Sequence, residues 1–266
     1  MTVRKLPLND ISLSTPPEKI LKMISVLREK KDSDAETILL INKAIDITYD
    51  YIVSLLFERA HIYQLNYMTE RDKLGGNEKT LKYSLRKMEE YIHETEIYIK
   101  QNNLKRWFHR LYRFLGKVSE YNENYHKAVS YYKKSLKHWR TDPEVVSKGI
   151  PRGLELEGFL ASALVMCGEV GGGLRLARKV YRKYENTVDG KRLKKQDYTT
   201  WAIWRAGIPI FVARGLVERG EKFDKEETLK WLENAEKLLN PPKTIKTWAD
   251  FQYRKDEISS LKKELN

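Results

Sequence analysis

Four basic side chains follow one another along the chain at steps of four, three and four residues: Arg106, Arg110, Arg113 and Lys117. Steps of three and four place residues on one face of an α-helix, so the four charges form a single stripe if the segment is helical. The planar guanidinium of arginine binds carboxylates and phosphates through two parallel hydrogen bonds. The stripe is therefore a candidate site for an acidic segment of a partner.

The stripe lies in the most basic part of a protein whose formal net charge is +13. Residues 105–140 contain ten basic residues against two carboxylates, which produces a local positive field that attracts anionic partners. Aromatic residues alternate with these cations: Trp107, Phe108, Tyr112, Tyr121, Tyr131 and Trp139. This composition also suits nucleic acid, because phosphates pair with cations while bases stack on aromatic rings.

A simpler interpretation of the same residues stays open. A row of cations on a helix is more often a solvated face than a site, and aromatic residues more often pack in a core. Nucleic-acid binding gains support if Trp107, Tyr121 and Trp139 are exposed beside the cations, and loses support if they are buried. Because the sequence has no zinc finger or RNA-binding aromatic motif, an acidic protein segment is the first candidate, with RNA or DNA as the alternative.

Residue types that perform catalysis or bind metals lack the spacing that this chemistry needs. The five histidines include no H-x-x-x-H pair, and the single cysteine, Cys167, excludes a C-x-x-C motif. The run Gly171–Gly173 lacks the Gly-Lys-Ser/Thr ending of a phosphate-binding loop, so a turn between helices explains it better. We expect no catalytic residue, no metal and no cofactor, and a protein that is not an enzyme.

Composition indicates a folded chain. Hydrophobic residues make up 41% and aromatic residues 11% of the 266 residues, unlike a disordered protein. No apolar run approaches the roughly 18 residues of a membrane span, and the N-terminus lacks the apolar stretch of a signal peptide. These features predict a cytoplasmic protein with no membrane partner.

The positions of the apolar residues predict helices almost throughout, because they recur at three and four rather than at two residues. Proline, glycine and asparagine cluster between the periodic stretches, where they mark turns. Helices are expected over 17–31, 34–47, 51–67, 78–101, 104–121, 125–139, 153–167, 173–186, 197–219, 226–239 and 244–264, with a kink at Pro209. The fold class is therefore all-α.

One pair of expected helices carries a specific motif: Tyr112-x-x-Leu115-Gly116-x-x-Ser119, then Ala128-x-x-x-Tyr132 and a turn at Pro143. This pattern resembles the signature of the tetratricopeptide repeat (TPR) family. Ser119 stands where an aromatic residue is usual, and the proline is displaced by a few residues. The small residues let two antiparallel helices approach closely, and the tyrosines fill the gaps beside them.

Weaker copies of the motif surround this one, including Ala60-x-x-Tyr63, Ala161-x-x-Leu164 and Ala213-x-x-Leu216. The small residues Ala60, Gly116, Ala161 and Ala213 follow one another at 56, 45 and 52 residues, more than the 34 residues of the family. The resemblance implies an α-solenoid of about five degenerate TPR-like helix pairs, and a generic helical bundle is the alternative. We expect residues 1–16 to be a flexible tail, 17–243 the repeat domain and 244–266 a capping helix.

The resemblance also implies a function, since first helices of such pairs line a concave groove that accepts a segment of a partner. It turns the stripe from Arg110 to Lys117 inward and adds Phe57, His61 and Gln64 of the preceding pair as partner-binding residues, with Lys19 and Lys22 before them. The asparagines with which some TPR co-chaperones bind a partner's C-terminal carboxylate have no counterpart here. The expectation is a non-enzymatic adaptor, in which reversing the charge of Arg113 and Lys117 removes binding and leaves the fold intact.

Overall fold

The computed structural model describes residues 34–71, 76–220 and 225–265, together with Lys19 and Met23. In chain order its helices are α1 (Asp34–Arg71), α2 (Glu78–Gln101), α3 (Phe108–Tyr121), α4 (Tyr125–His138), α5 (Pro143–Lys148), α6 (Arg152–Met166), α7 (Val170–Asn186), α8 (Val188–Gln196), α9 (Tyr198–Arg219), α10 (Lys225–Leu238) and α11 (Gln252–Leu265). Single 3₁₀ turns occupy Lys105–Trp107 and Trp139–Thr141. The described residues contain no strand, which confirms the all-α class.

Helices that follow one another in the chain pack as pairs: α1 with α2, α3 with α4, α6 with α7, and α9 with α10. Each pair also contacts the next, through α2 on α3, α4 on α6, and α6 on α9. Side chains at the turns start the second helices, because Asn77 and Asn124 accept the backbone N–H groups of Thr80 and Lys127. The chain thus forms successive helical hairpins in which neighbours in sequence are neighbours in space.

Small residues set the closest approaches between helices. A Cβ atom on Gly116 would lie 2.8 Å from Cδ1 and Cζ of Tyr132, whose ring is fully buried between α3 and α4. A Cβ on Gly173 would meet the side chain and backbone of Val165 across the next pair. The close packing that the motif predicts between Gly116 and Tyr132 is present.

Buried apolar residues form three clusters along the chain. The first lies among α1, α2 and α3 and includes Phe57, Met88 and Trp107. The second joins α4 to α6, and the third fills the space among α6, α7, α9, α10 and α11. Apolar stripes on consecutive helices build these clusters, so burial holds each pair to its neighbours.

The predicted break between helices 34–47 and 51–67 is wrong, since α1 runs without interruption from Asp34 to Arg71. Asp50, which could have capped a new helix, instead accepts hydrogen bonds from the indole of Trp107 and from Arg106. No proline or glycine lies between residues 34 and 71, so nothing in this segment breaks the helix. The expected tail 1–16 and helix 17–31 lie outside the described residues, apart from Lys19 and Met23.

Other boundaries also differ from the predictions. The glycines 171–173 belong to the first turn of α7 rather than to a turn between helices. By contrast, α9 passes through Pro209 as one helix, in agreement with the helix predicted over 197–219. Short helices α5 and α8 occupy stretches where none was expected. The last helix begins at Gln252 instead of residue 244, after Phe251 takes a left-handed φ of 63°. α11 packs on α9 and α10 and buries Ile258, Leu261 and Leu265.

Candidate binding face

The basic stripe lies on α3 and on the 3₁₀ turn that precedes it. Leu111 and Phe114 hold α3 in the first apolar cluster, and the stripe runs along the edge of that cluster, where Arg110 lies over Phe57 and Trp107. Its members do not share one environment, because the exposed fraction of the side chain falls from 32% at Arg106 to 16% at Arg113 and 9% at Lys117. We call Arg106, Arg110, Arg113, Lys117 and Arg152 of α6 the basic face.

Arg113 is held by a carboxylate of the next helical pair. One guanidinium nitrogen donates to Oε1 of Glu155 over 3.1 Å, and Arg152 donates to Oε2 of the same carboxylate over 3.1 Å. Burial raises the pKa of Glu155, but Arg113 and then Arg152 outweigh burial and lower it to about 2. Glu155 therefore stays ionised between two guanidiniums at neutral pH.

Lys117 is the most buried member of the basic face. Its Nζ lies 2.7 Å from Oε2 of Glu120 and 3.8 Å from the ring centre of Phe159. The rings of Phe211 and Tyr132 stand 5.2 and 5.9 Å away. Burial lowers the pKa of Lys117 despite the nearby carboxylate. This ammonium group thus fills an aromatic recess of its own protein.

Arg106 joins the basic face to α1. Its Nε donates to Oδ1 of Asp50 over 2.7 Å, and a terminal nitrogen donates to the carbonyl of Asp46. Asp50 also accepts the indole N–H of Trp107, so one carboxylate holds the 3₁₀ turn against the long helix. Arg106 is therefore part of the junction between the first two helical pairs.

Arg110 lies over aromatic rings. Its guanidinium carbon is 5.2 Å from the ring centre of Trp107 and 5.6 Å from that of Phe57. Phe57 is itself buried, at 1% exposed, and stacks on Phe114 with ring centres 5.3 Å apart. The partly exposed Arg110 thus covers the edge of the first core cluster. Phe57, which was expected to contact a partner, is a core residue.

The two other residues expected from α1 differ from each other. His61 is partly exposed, with Nδ1 3.6 Å from Oε2 of Glu58. Burial and the charge of Arg113 lower its pKa, so the imidazole is neutral at pH 7. Gln64 is buried at 5% exposed and donates from Nε2 to the hydroxyl of Tyr121. Of the three residues expected from α1, only His61 combines exposure with nearness to the basic face.

Several residues of this region were not predicted from the sequence. Arg152, Glu155 and Phe159 come from α6, and Phe211 comes from α9. The sequence contained one signal, because Glu155 and Glu157 interrupt an otherwise apolar stretch of helix, and a carboxylate in such a stretch needs a charged partner. Sequence spacing could not identify that partner, since Arg113 is 42 residues away.

A second carboxylate between two arginines lies at the far end of the chain. Glu257 of α11 accepts from Arg214 over 2.8 Å through Oε1 and from Arg254 through Oε2. The guanidinium of Arg254 lies over the ring of Phe211, which also borders Lys117. Ion pairs therefore line the facing sides of α3, α6, α9 and α11.

A buried histidine lies beneath the basic face. His109 is 2% exposed, and the Ser135 hydroxyl lies 3.0 Å from its Nδ1 and donates to its backbone carbonyl over 2.7 Å. Burial, followed by the charge of Arg113, lowers the pKa of His109 to about 3. The ring is neutral at physiological pH and links α3 to α4 as a structural group.

The aromatic residues that would support nucleic-acid binding are not exposed. Trp107 is fully buried and donates its indole N–H to Asp50, while Tyr121 and Trp139 are partly buried. Tyr121 stacks on Tyr67 with ring centres 4.3 Å apart. Lys133, Lys134 and Lys137 are exposed on α4. Of the three aromatic residues that this criterion names, only Trp107 is fully buried and therefore counts against nucleic-acid binding.

Within the described residues, no group of three or more histidine, cysteine or carboxylate side chains could hold a metal ion. In the same part of the chain, no helix is both long and apolar enough to cross a bilayer. Comparison with models of protein families, with curated proteins and with solved structures finds no match to this chain.

Proposed function

We propose that this chain is a non-enzymatic binding module, in which helical pairs stack as a solenoid similar to tetratricopeptide repeats. We propose further that its basic face binds an acidic segment of another protein. The observation that carries the proposal is the cluster of guanidinium groups on α3 and α6: Arg113 and Arg152 hold Glu155, and Arg110 lies one turn before Arg113 on the same stripe.

The chemistry of this arrangement suits carboxylates. Arg113 and Arg152 already hold one carboxylate, that of Glu155, through two hydrogen bonds of 3.1 Å. Arg110 lies on the same helix stripe, one turn before Arg113, and is partly exposed. Guanidinium groups that rest on aromatic rings, as Arg110 does on Trp107, bind a second carboxylate at little entropic cost, because the ring restricts their motion.

The position of the contact differs from the sequence-based expectation. Lys117 and Arg113 have the least exposed side chains of the basic face and are held by Glu120 and Glu155. The more exposed part of the face lies toward Arg110, His61 and Arg152, of which Arg152 also pairs with Glu155. An extended acidic segment that crosses from α1 to α6 would pass over these three side chains. Trp204, over which Arg152 lies at 5.1 Å, adds an apolar surface at the α9 side.

The direct test measures binding of fluorescent peptides rich in glutamate or aspartate by anisotropy, at low and at physiological salt. We expect the Arg110→Glu variant to bind at least tenfold more weakly than the wild type, because one charge contact is replaced by repulsion. The matched control is Lys133→Glu, which makes the same charge change on the exposed side of α4. Equal affinities for the two variants would refute the assignment of the face.

A second experiment identifies the natural partner. Pull-down from native lysate, with and without nuclease, should recover a nuclease-resistant protein with the wild type and lose it with Arg110→Glu. Recovery of nucleic acid, or loss of all partners on nuclease treatment, would instead favour RNA or DNA binding.

A further inference from the structure

Trp248 is open to solvent although its position is fixed. At 70% exposed, it is the most exposed aromatic residue in the part of the chain that the structure describes. Its backbone N–H donates to Oγ1 of Thr199 over 3.1 Å, and its indole N–H donates to Oδ1 of Asp197 over 3.1 Å. Phe251, three residues later, is buried at 5% exposed. These contacts hold the tryptophan at the start of α9 without burying it.

The ring of Trp248 offers a ligand its π surface alone. The indole N–H, which is the only hydrogen-bond donor of the side chain, is already bound to Asp197. No aromatic or cationic side chain of the described residues lies over the ring. A side chain that is already held in place loses little conformational entropy when a ligand stacks on it. The site therefore suits a flat, aromatic ligand group.

Lysines lie on both chain segments that meet at this tryptophan, which are α8 and residues 241–251. Four exposed lysines of these segments form no ion pair with any described residue: Lys191, Lys195, Lys243 and Lys246. Lys195 is two residues before Asp197, and Lys246 is two residues before Trp248. Because two residues of extended chain span at most about 7 Å, both lysines begin close to the ring.

The local charge is positive. Residues 189–197 and 241–251 together contain six basic and three acidic residues, and each of the three carboxylates accepts a hydrogen bond within the protein. The lysine ammonium is a compact charge on a flexible stem, which contacts phosphate oxygens without demanding a fixed geometry. An anionic ligand with flat rings thus matches both features of the site.

Two other kinds of partner fit less well. The core of a protein–protein interface is depleted in lysine, whereas lysines flank Trp248 on both segments. Binding to a bilayer surface requires an apolar face of several residues. Between residues 225 and 251, Trp248 is the only exposed large hydrophobic residue.

We propose that Trp248 and the lysines around it form a binding site for single-stranded nucleic acid, in which one base stacks on the indole while Lys195 and Lys246 contact neighbouring phosphates. A single strand leaves its bases free to stack on a protein ring, and cations beside that ring follow the phosphate backbone. The site is separate from the basic face, because it lies where α8 meets α9 and not on α3 or α6. The module would therefore bind nucleic acid in addition to an acidic protein segment.

Fluorescence anisotropy with labelled oligouridylate and oligothymidylate of about 12 nucleotides tests the stacking. The Trp248→Ala variant should bind at least fivefold more weakly than the wild type, because the stacking of one base is lost. The Trp248→Phe variant keeps a ring and should retain most of the affinity. The control Tyr51→Ala removes an exposed ring from α1 and should bind as the wild type does. Equal affinity of Trp248→Ala and wild type, or a wild type that binds neither oligonucleotide at low salt, would overturn the proposal.

Salt dependence tests the lysines separately from the ring. Each phosphate contact on a single strand contributes about 0.7 to the slope of log K against log salt concentration, so the double variant Lys195→Gln, Lys246→Gln should lower that slope by about 1.4. The matched control Lys133→Gln, Lys137→Gln removes two exposed charges from α4 and should leave the slope unchanged. A lower slope in the α4 variant alone would place the nucleic acid on residues 105–140 and refute the site. Arg110→Glu should bind the oligonucleotides as well as Lys133→Glu does, so this result is independent of the basic face.

Discussion

Replacing Glu155 with glutamine removes one negative charge from between two guanidiniums while it preserves the size of the side chain. Glu155 is 6% exposed, and its carboxylate is held by Arg113 and Arg152. Removal of one member of a buried ionic group leaves the others uncompensated, which costs about 3–5 kcal/mol. We expect the Glu155→Gln variant to lose stability of this order.

The pKa of Glu155 provides an independent magnitude. Relative to the ordinary value of 4.5, the two arginines lower the pKa in the folded protein to about 2. A difference of this size corresponds to about 3 kcal/mol of stability, since each pKa unit is worth about 1.4 kcal/mol. Because the folded pKa is the lower one, this stability is present above pH 4.5 and is lost as the pH falls toward 2.

The assay is urea denaturation followed by circular dichroism, at pH 7 and at decreasing pH. The matched control is Glu94→Gln, which removes the same charge from the exposed ion pair with Arg59 and should cost less than about 1 kcal/mol. A Glu155→Gln protein within about 1 kcal/mol of the wild type at pH 7 would show that the buried ion group does not stabilise the fold. The wild-type excess over the variant should also shrink below pH 4.5.

Three further predictions follow from other parts of the structure. The pKa of His109 is about 3 in the folded protein, against an ordinary value of 6.5. The wild type should therefore lose about 2 kcal/mol of stability between pH 7 and pH 5, because the unfolded chain takes up a proton on this histidine. Urea denaturation of the His109→Gln variant should not show this loss. Gly116→Ala should destabilise by about 1–3 kcal/mol through collision with Tyr132, whereas Gly171→Ala, whose Cβ meets nothing closer than 3.5 Å, should raise the melting temperature. The Lys117→Glu variant should have a markedly lower melting temperature, because it places a buried carboxylate beside that of Glu120. A soluble variant with an unchanged melting temperature would contradict the observed burial of the Lys117 side chain.

The last of these predictions revises an expectation drawn from the sequence. The stripe at helical spacing indicated that reversing the charge of Arg113 and Lys117 would remove binding and spare the fold. In the structure Lys117 is buried, Arg113 is partly buried, and both side chains are held in ion pairs, so we now expect the reversal to unfold the protein. Arg110 is the member of the stripe at which a charge change tests binding.

The sequence by itself determined the helical class and the location of most helices. Helix formation depends on hydrogen bonds and side-chain contacts within four residues, so periodicity and turn residues such as Asn77 and Asn124 predicted it. The close packing of Gly116 on Tyr132 was also readable, because the motif fixes it within one helical pair. The assignment to TPR-like repeats remains a prediction from that motif.

Only the tertiary structure decided which charged side chains of the stripe are held in ion pairs with other helices. Arg113 meets Glu155 over 42 residues of sequence, and Arg106 meets Asp50 over 56 residues. Helical spacing places residues on one face of a helix, but it does not show which other helix covers that face. The packing of α6 beside α3 and α4 therefore turned part of a predicted open stripe into a buried ion-pair network, because charges removed from water require partners.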